Sequence, residues 1–197
     1  MPGHSFNTAL GPSPTFGAIM NSSEIKYSSD INSNDLELNE LIYRVILGRA
    51  SWKDIHKHSG VYVVYHKNPS KIKFNSHGGI SNCKTLNVEI LQRKWARLSS
   101  YNLSDIIYIG RGNVRARVRS LIRFGLGKAV NHKGGEWLWQ VDDYSNLKIL
   151  ISSCPTNKEN AYEKFLLDTF KEQHGDWPLA NRTGGQGSEI WIPLNCT

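Results

Sequence analysis

Two charged residues stand where a helical pattern asks for apolar ones. In VRARVRSLIRFG (residues 114–125), Val114, Val118, Leu121 and Ile122 form an apolar stripe at helical spacing. Arg117 falls at the edge of that stripe, between Leu121 and Phe124. A guanidinium there needs an anion or a full set of hydrogen bonds. Its fork of donors suits phosphate oxygens, although pairing with one structural carboxylate, or reaching out to solvent, meets the same need. Residues 157–173 repeat the anomaly: Glu163 shares a helical face with Leu166, Leu167 and Phe170. A carboxylate in that setting calls for Arg, Lys or a metal, and oxygen donors with open water positions suit Mg²⁺. An internal salt bridge, with Arg117 as one partner, is the structural alternative. Glu159 is different, because Thr156 and Glu159 fit a T-x-x-E capping box. Arg115, Arg119 and Arg123 recur at i, i+4 and i+8 and form either a solvated ridge or a phosphate-facing one.

The surrounding pattern says what must hold these residues. Residues 1–35 are rich in Ser, Asn, Gly and Pro, show no periodicity, and read as a disordered or loosely held arm. Residues 36–48 have helical apolar spacing and end at Gly48. SGVYVVYH (59–66) reads as a buried strand, and a polar loop containing Gly78 and Gly79 follows. Residues 87–99 read as an amphipathic helix, 105–110 as a second strand and 114–125 as a helix stopped at Gly125. Two further strands are expected at 136–141 and 147–152, then the helix at 157–173 and a Gly-rich tail from Pro178. Strands and helices mix without βαβ alternation, so the expected class is α+β: a small central antiparallel or mixed β-sheet flanked by helices.

The chain has 197 residues, long enough for one domain without a metal or disulfide staple. Its apolar runs fall far short of the roughly 18 residues of a membrane helix, so no membrane partner is expected. The first residues lack a basic start followed by an apolar core, so a secretory signal is not expected. Cys83, Cys154 and Cys196 are scattered, which argues for reduced thiols and a cytoplasmic location. Residues 1–40 carry one Lys and five acids, whereas 41–197 carry 23 Lys and Arg against 12 acids. A body this basic favours a polyanion, through counterion release from phosphates.

With those residues in view, the chain resembles the GIY-YIG nuclease superfamily. Gly60-Val61-Tyr62 is similar to the first motif strand and Tyr108-Ile109-Gly110 to the second. Asn113-Val114-Arg115-Ala116-Arg117-Val118-Arg119-Ser120-Leu121 resembles the N-L-R-x-R-V-R-S stretch of that superfamily. Ala161-Tyr162-Glu163-Lys164 resembles its helix with a metal-binding Glu, and Pro178-Leu179-Ala180-Asn181 its late Asn. The resemblance spans about residues 58–182 and implies one nuclease domain over 36–197. Tyr62 and Tyr108 lie 46 positions apart, so residues 67–104 read as an insertion between the first two motif strands. Leu121 stands where many members have His or Tyr; His132 is the candidate to supply that group. His56, His58, His66 and His77 read as surface or loop residues.

What the resemblance implies is a metal-dependent endonuclease hydrolysing DNA phosphodiester bonds. Glu163 would hold Mg²⁺ (or Mn²⁺), Arg117 would steady the developing phosphorane charge, and Tyr62 would take a proton from water. Tyr108 would place water or phosphate, and Asn181 would support the site by hydrogen bonds. Without the resemblance, both tyrosines read as core aromatics. Arg115, Arg119, Arg123, Lys128 and Lys133 are the candidate phosphate contacts. Base contacts could come from Gln92, Arg93, Lys94 and Arg97 if helix 87–99 enters a groove; the same helix could instead cover the sheet through Ile90, Leu91, Trp95 and Leu98. A stand-alone chain resembles the restriction-type members, cutting at specific sites and pairing as a homodimer on DNA. The alternatives are a structure-specific repair nuclease and a non-catalytic nucleic-acid-binding module on the same fold.

Overall fold

A computed structural model describes residues 34–46, 52, 55, 57–76, 87–101, 104–128 and 132–182. Strand β1 (Asn34–Glu37) leads into helix α1 (Leu38–Ile46), and β2 covers Ser59–His66. Helix α2 is Val88–Tyr101, β3 is Ile106–Asn113 and α3 is Val114–Gly125. A 3-10 segment (Lys133–Gln140) precedes β4 (Leu147–Ser153) and α4 (Glu159–His174). The four strands form one sheet in the order β1-β4-β2-β3, and every pairing is antiparallel. The class is therefore α+β with an antiparallel sheet flanked by helices.

The central strand shows why this sheet forms. Tyr62, Val63 and Val64 of β2 are all essentially buried, since β3 and β4 pair on its two edges and side chains pack both faces. Ile106, Ile107 and Ile109 of β3 and Ile149, Leu150 and Ile151 of β4 continue the same core. Burying each such side chain contributes about 1.5–3 kcal/mol. Strands β2 and β3 are direct neighbours although residues 67–105 separate them. Within that connection, α2 turns Leu91, Trp95 and Leu98 into the core and leaves Ile90 exposed. The helix thus covers the domain along one stripe and shows Gln92 and Arg93 to solvent. No helix among the described residues is long and apolar enough to cross a membrane.

Several local expectations need correction. Asn34 and Asp35, expected in the arm, belong to β1, and Leu36 and Glu37, expected at a helix start, complete that strand against β4. Residues 136–141 do not form a strand. They wind into a 3-10 segment (Lys133–Gln140) in which Leu138, Trp139 and Gln140 are buried, and Val141 makes an isolated bridge to Phe74. Trp139 lies so close to Gly125 that a methyl there would come within 2.2 Å of Cε2. Strand β3 runs through Gly110 and Gly112 to Asn113, longer than the expected 105–110. The capping box is not formed: α4 starts at Glu159 behind Lys158, without a side-chain cap. His66 is buried rather than a surface residue, with Nδ1 accepting from the Asn68 amide at 3.0 Å. His58 is exposed as expected, while His56 and His77 lie outside the described residues.

Candidate active site

Antiparallel register brings the two motif tyrosines together. Tyr62 pairs with Gly110, and Tyr108 with Val64, so both tyrosine rings rise from the same face two positions apart. The ring centroids lie 5.9 Å apart and are tilted by 59°. A methyl at Gly110 would sit 2.5 Å from both Cζ and the hydroxyl oxygen of Tyr62, so the bare glycine leaves room for the ring. The Tyr62 hydroxyl is buried without a partner at hydrogen-bonding geometry. Burial pushes its pKa well above the ordinary phenol value, the Tyr108 phenol adds to this, and the Arg117 charge opposes it. Burial also raises the pKa of Tyr108, against the lowering pull of the Tyr62 phenol and the Arg117 guanidinium.

Helix α3 follows β3 without a loop and delivers Arg117 to this pair. Asn113 caps the helix, its side chain accepting from the Ala116 amide at 3.1 Å. Gly112, at φ +119°, makes the turn from strand to helix. A side chain there would also crowd Arg117, whose Cγ lies 3.2 Å from the position of a Cβ. Val114, Val118, Leu121 and Ile122 are buried, as their spacing predicts, and Arg117 is half-buried. Arg117 acts on Tyr62, Tyr108, His132 and Glu163 alike.

Glu163 reaches the group from α4. Its Oε2 accepts from Nε of Arg111 at 2.6 Å, and its side chain keeps 12% exposure. The carboxylate's cation is therefore Arg111 by direct contact and Arg117 at longer range. Burial raises the Glu163 pKa, and the two arginines counter it. Arg111 escaped the sequence reading, although it follows Tyr108-Ile109-Gly110 directly and lies on the strand facing the helix of Glu163.

His132 also joins the cluster. It is buried, and neither ring nitrogen has a partner among the described residues. Its ring meets Tyr108 edge-on with centroids 6.4 Å apart. A Cβ at Gly135 would lie 2.9 Å from Leu121 Cδ1, 3.6 Å from His132 Nε2 and 3.7 Å from Tyr108 Cε1. His132 thus lies near Leu121. Burial, then the Arg117 charge, lower its pKa to about 3, so the imidazole is neutral at pH 7.

Asn181 stands behind the cluster. Its Oδ1 accepts from the Ile109 amide and its Nδ2 donates to the Ile109 carbonyl, both at 2.9 Å. It grips the backbone between Tyr108 and Gly110 instead of facing the rings.

The expected nucleic-acid contacts divide into two groups. Arg119 and Lys128 are exposed and Arg123 is half-buried, on or just beyond α3. Arg93 is exposed, with Nε donating to the Glu89 carbonyl at 3.4 Å. The others are engaged within the fold. Arg115 donates to the Ile55 carbonyl at 2.5 Å, and Arg97 pairs with Asp176. Lys94 is turned inward onto backbone carbonyls, and burial lowers its pKa to about 8. The side chain of Lys133 lies outside the described residues.

Glu163 is the carboxylate available for a metal at this cluster. Its Oε2 is shared with Arg111, and among the described residues no group of three or more His, Cys, Asp or Glu converges that could hold a metal ion. One carboxylate does not make a closed cage. It does fit Mg²⁺ or Mn²⁺, ions that keep several waters and complete their shell with substrate phosphate oxygens. Comparison with protein-family models, with curated proteins and with solved structures finds no match to this chain.

Proposed function

We propose that this chain is a metal-dependent endonuclease of the GIY-YIG type that hydrolyses DNA phosphodiester bonds, in the manner of the cytoplasmic restriction enzymes that cut at specific sites. The observation that carries the reading is the convergence of Tyr62, Tyr108, Arg117, His132 and Glu163. They come from β2, β3, α3, the 132–140 segment and α4, yet form one electrostatically coupled group. A purely structural core has no need to bury two phenols, an imidazole without partners and a half-buried guanidinium together. The exposed Arg119 and Lys128, on and just beyond α3, add positive surface suited to a phosphate backbone.

The chemistry follows from the surroundings of each residue. A divalent ion held by Glu163 would neutralise charge at the scissile phosphate and the leaving oxygen. Arg117 holds its donors ready for the non-bridging oxygens, an electrostatic contribution that needs no rearrangement as charge builds. Tyr62 orients the attacking water and, in its phenolate form, accepts the water's proton as the new P–O bond forms and the bond to the leaving oxygen breaks. Of the groups acting on Tyr62, Arg117 is the one that favours the phenolate. That makes Arg117 part of the base as well as of the phosphate clamp. Tyr108 positions Tyr62 and water, and neutral His132 offers one N–H donor.

The test is cleavage of supercoiled plasmid and phage DNA with Mg²⁺, with EDTA, and with a Glu163→Ala variant. Discrete fragments that require Mg²⁺ and vanish in the variant support a nuclease with site preference. Cleavage confined to flaps or junctions moves the reading to a structure-specific repair nuclease. DNA binding without cleavage under any divalent metal moves it to a binding module.

A further inference from the structure

Strand β3 lies at the edge of the sheet, so one side of its backbone has no strand partner among the described residues. The chain after α4 completes that edge in an irregular way. The Ala180 amide donates to the Ile107 carbonyl at 2.8 Å, and the Asn181 side chain takes both backbone groups of Ile109. An amide side chain here replaces the peptide of a fifth strand. Nothing in this short segment has the regular pairing that would hold it in place.

Lys94 provides that hold from the other side. Its Nζ donates to the carbonyls of Pro178 and Leu179 at 3.1 Å and to that of Asn181 at 3.2 Å. An ammonium has three donors, and three backbone acceptors meet it. The same Nζ lies 5.6 Å from the ring centre of Trp137, and Arg182 lies over that ring at 5.8 Å. Trp137 belongs to the 3-10 segment whose first residue follows His132. One half-buried cation on α2 therefore ties the connection between β2 and β3 to the segment that grips β3. It also contacts the segment that carries His132.

We propose that Lys94 is a positioning residue: by gathering the carbonyls of Pro178, Leu179 and Asn181 it holds Asn181 on Ile109, and so backs the outer side of the strand that carries Tyr108 and Gly110. It does not read DNA, although it lies on the helix from which groove contacts were expected. The consequence for catalysis rests on the nuclease reading; the mechanical claim does not.

Amide hydrogen exchange, followed by NMR, tests the mechanical claim on the full chain. In Lys94→Met, exchange at Ile109 should accelerate about tenfold, the scale of losing one or two net hydrogen bonds. Tyr108 and Gly110, whose amides face β2 by alternation, should stay within about twofold of the wild type. Asn181→Ala should give the same pattern, and the double variant no more than the larger single effect, because both act through one contact. Arg97→Met, which removes an exposed ion pair to the same segment, should leave Ile109 near its wild-type rate. If Lys94→Met does not fold, Lys94→Gln carries the same comparison. Unchanged exchange at Ile109, or additive effects in the double variant, overturns the proposal.

The cleavage assay separates positioning from DNA contact. Lys94→Met should lower kcat while KM for DNA and its salt dependence stay constant. A raised KM with a shallower salt slope would assign Lys94 to a phosphate and overturn the proposal. Absence of cleavage by the wild type would count against the nuclease reading, and the exchange data would still decide the role of Lys94.

Discussion

The ring of Tyr62 lies against the backbone of Gly110, close enough that a single methyl at position 110 would meet both Cζ and the hydroxyl oxygen at 2.5 Å. The two residues are register partners across β2 and β3. Gly110 of β3 is thus explained by Tyr62 of β2. Pairing the strands places a large ring where only a residue without Cβ can sit.

Gly110→Ala follows directly. The added methyl must displace a fully buried ring, which should cost about 1–3 kcal/mol of stability, as overpacking does. Cleavage should fall by more than the loss of folded protein explains, because the Tyr62 hydroxyl moves. Urea denaturation and single-turnover cleavage on the same sample check both parts, and wild-type behaviour in both would show that the ring is free to shift.

Arg117→Ala should lower cleavage by roughly 10²–10³-fold, the scale of removing one preorganised donor to a developing oxyanion. The fold should remain, since the residue is half-buried at the rim of the α3 stripe. Arg117→Lys should recover only part of the rate, because an ammonium lacks the two-pronged geometry. Normal turnover by the alanine variant, measured against circular dichroism of the same preparation, would remove Arg117 from the site.

Glu163→Gln keeps the shape and discards the charge. Binding of Mn²⁺, followed by electron paramagnetic resonance without DNA, should be lost together with cleavage. Arg111→Met should retain cation binding, because the cation then meets a carboxylate no longer shared with a guanidinium 2.6 Å away. Equal Mn²⁺ binding by wild type and Glu163→Gln would place the metal elsewhere.

The neutral imidazole of His132 makes stability depend on acid. Its folded pKa, about 3, lies below the unfolded value of 6.5, so the unfolded chain binds the extra proton first. Stability is therefore complete above about pH 6.5 and falls as pH drops towards 3, by up to about 1.4 kcal/mol per pH unit for one such group. His66, also lowered by burial, works in the same direction. His132→Phe should flatten the stability profile between pH 6 and 4 in thermal melts. An unchanged slope would show that His132 gains no extra neutral character on folding.

Much of this molecule was legible in short stretches of sequence. The span of β2 and the bounds of α3 follow from local pattern, because the apolar period and the stop glycine at 125 are contained within each element. Arg117 and Glu163 stood out as charges on apolar stripes, and that anomaly led to the cluster. Residues 136–141 read as a strand because Trp137, Leu138 and Trp139 have strand-like composition, while the space over Gly125 that Trp139 fills is made by another element.

The sequence by itself determined β2, β4, the helices and the two misplaced charges, since each depends on neighbours within about a dozen positions. Only the tertiary structure decided which cation faces Glu163, that His132 lies beside Tyr108, and that Lys94 turns inward while Arg93 stays exposed. Those outcomes depend on residues brought together from distant parts of the chain. Strand β3 meets β2 across a connection of 39 residues, and the Lys94 ammonium meets carbonyls 84 to 87 positions away. A side chain's type states what it can bond to. Packing determines which partner reaches it first and whether water is excluded, and no local period encodes that.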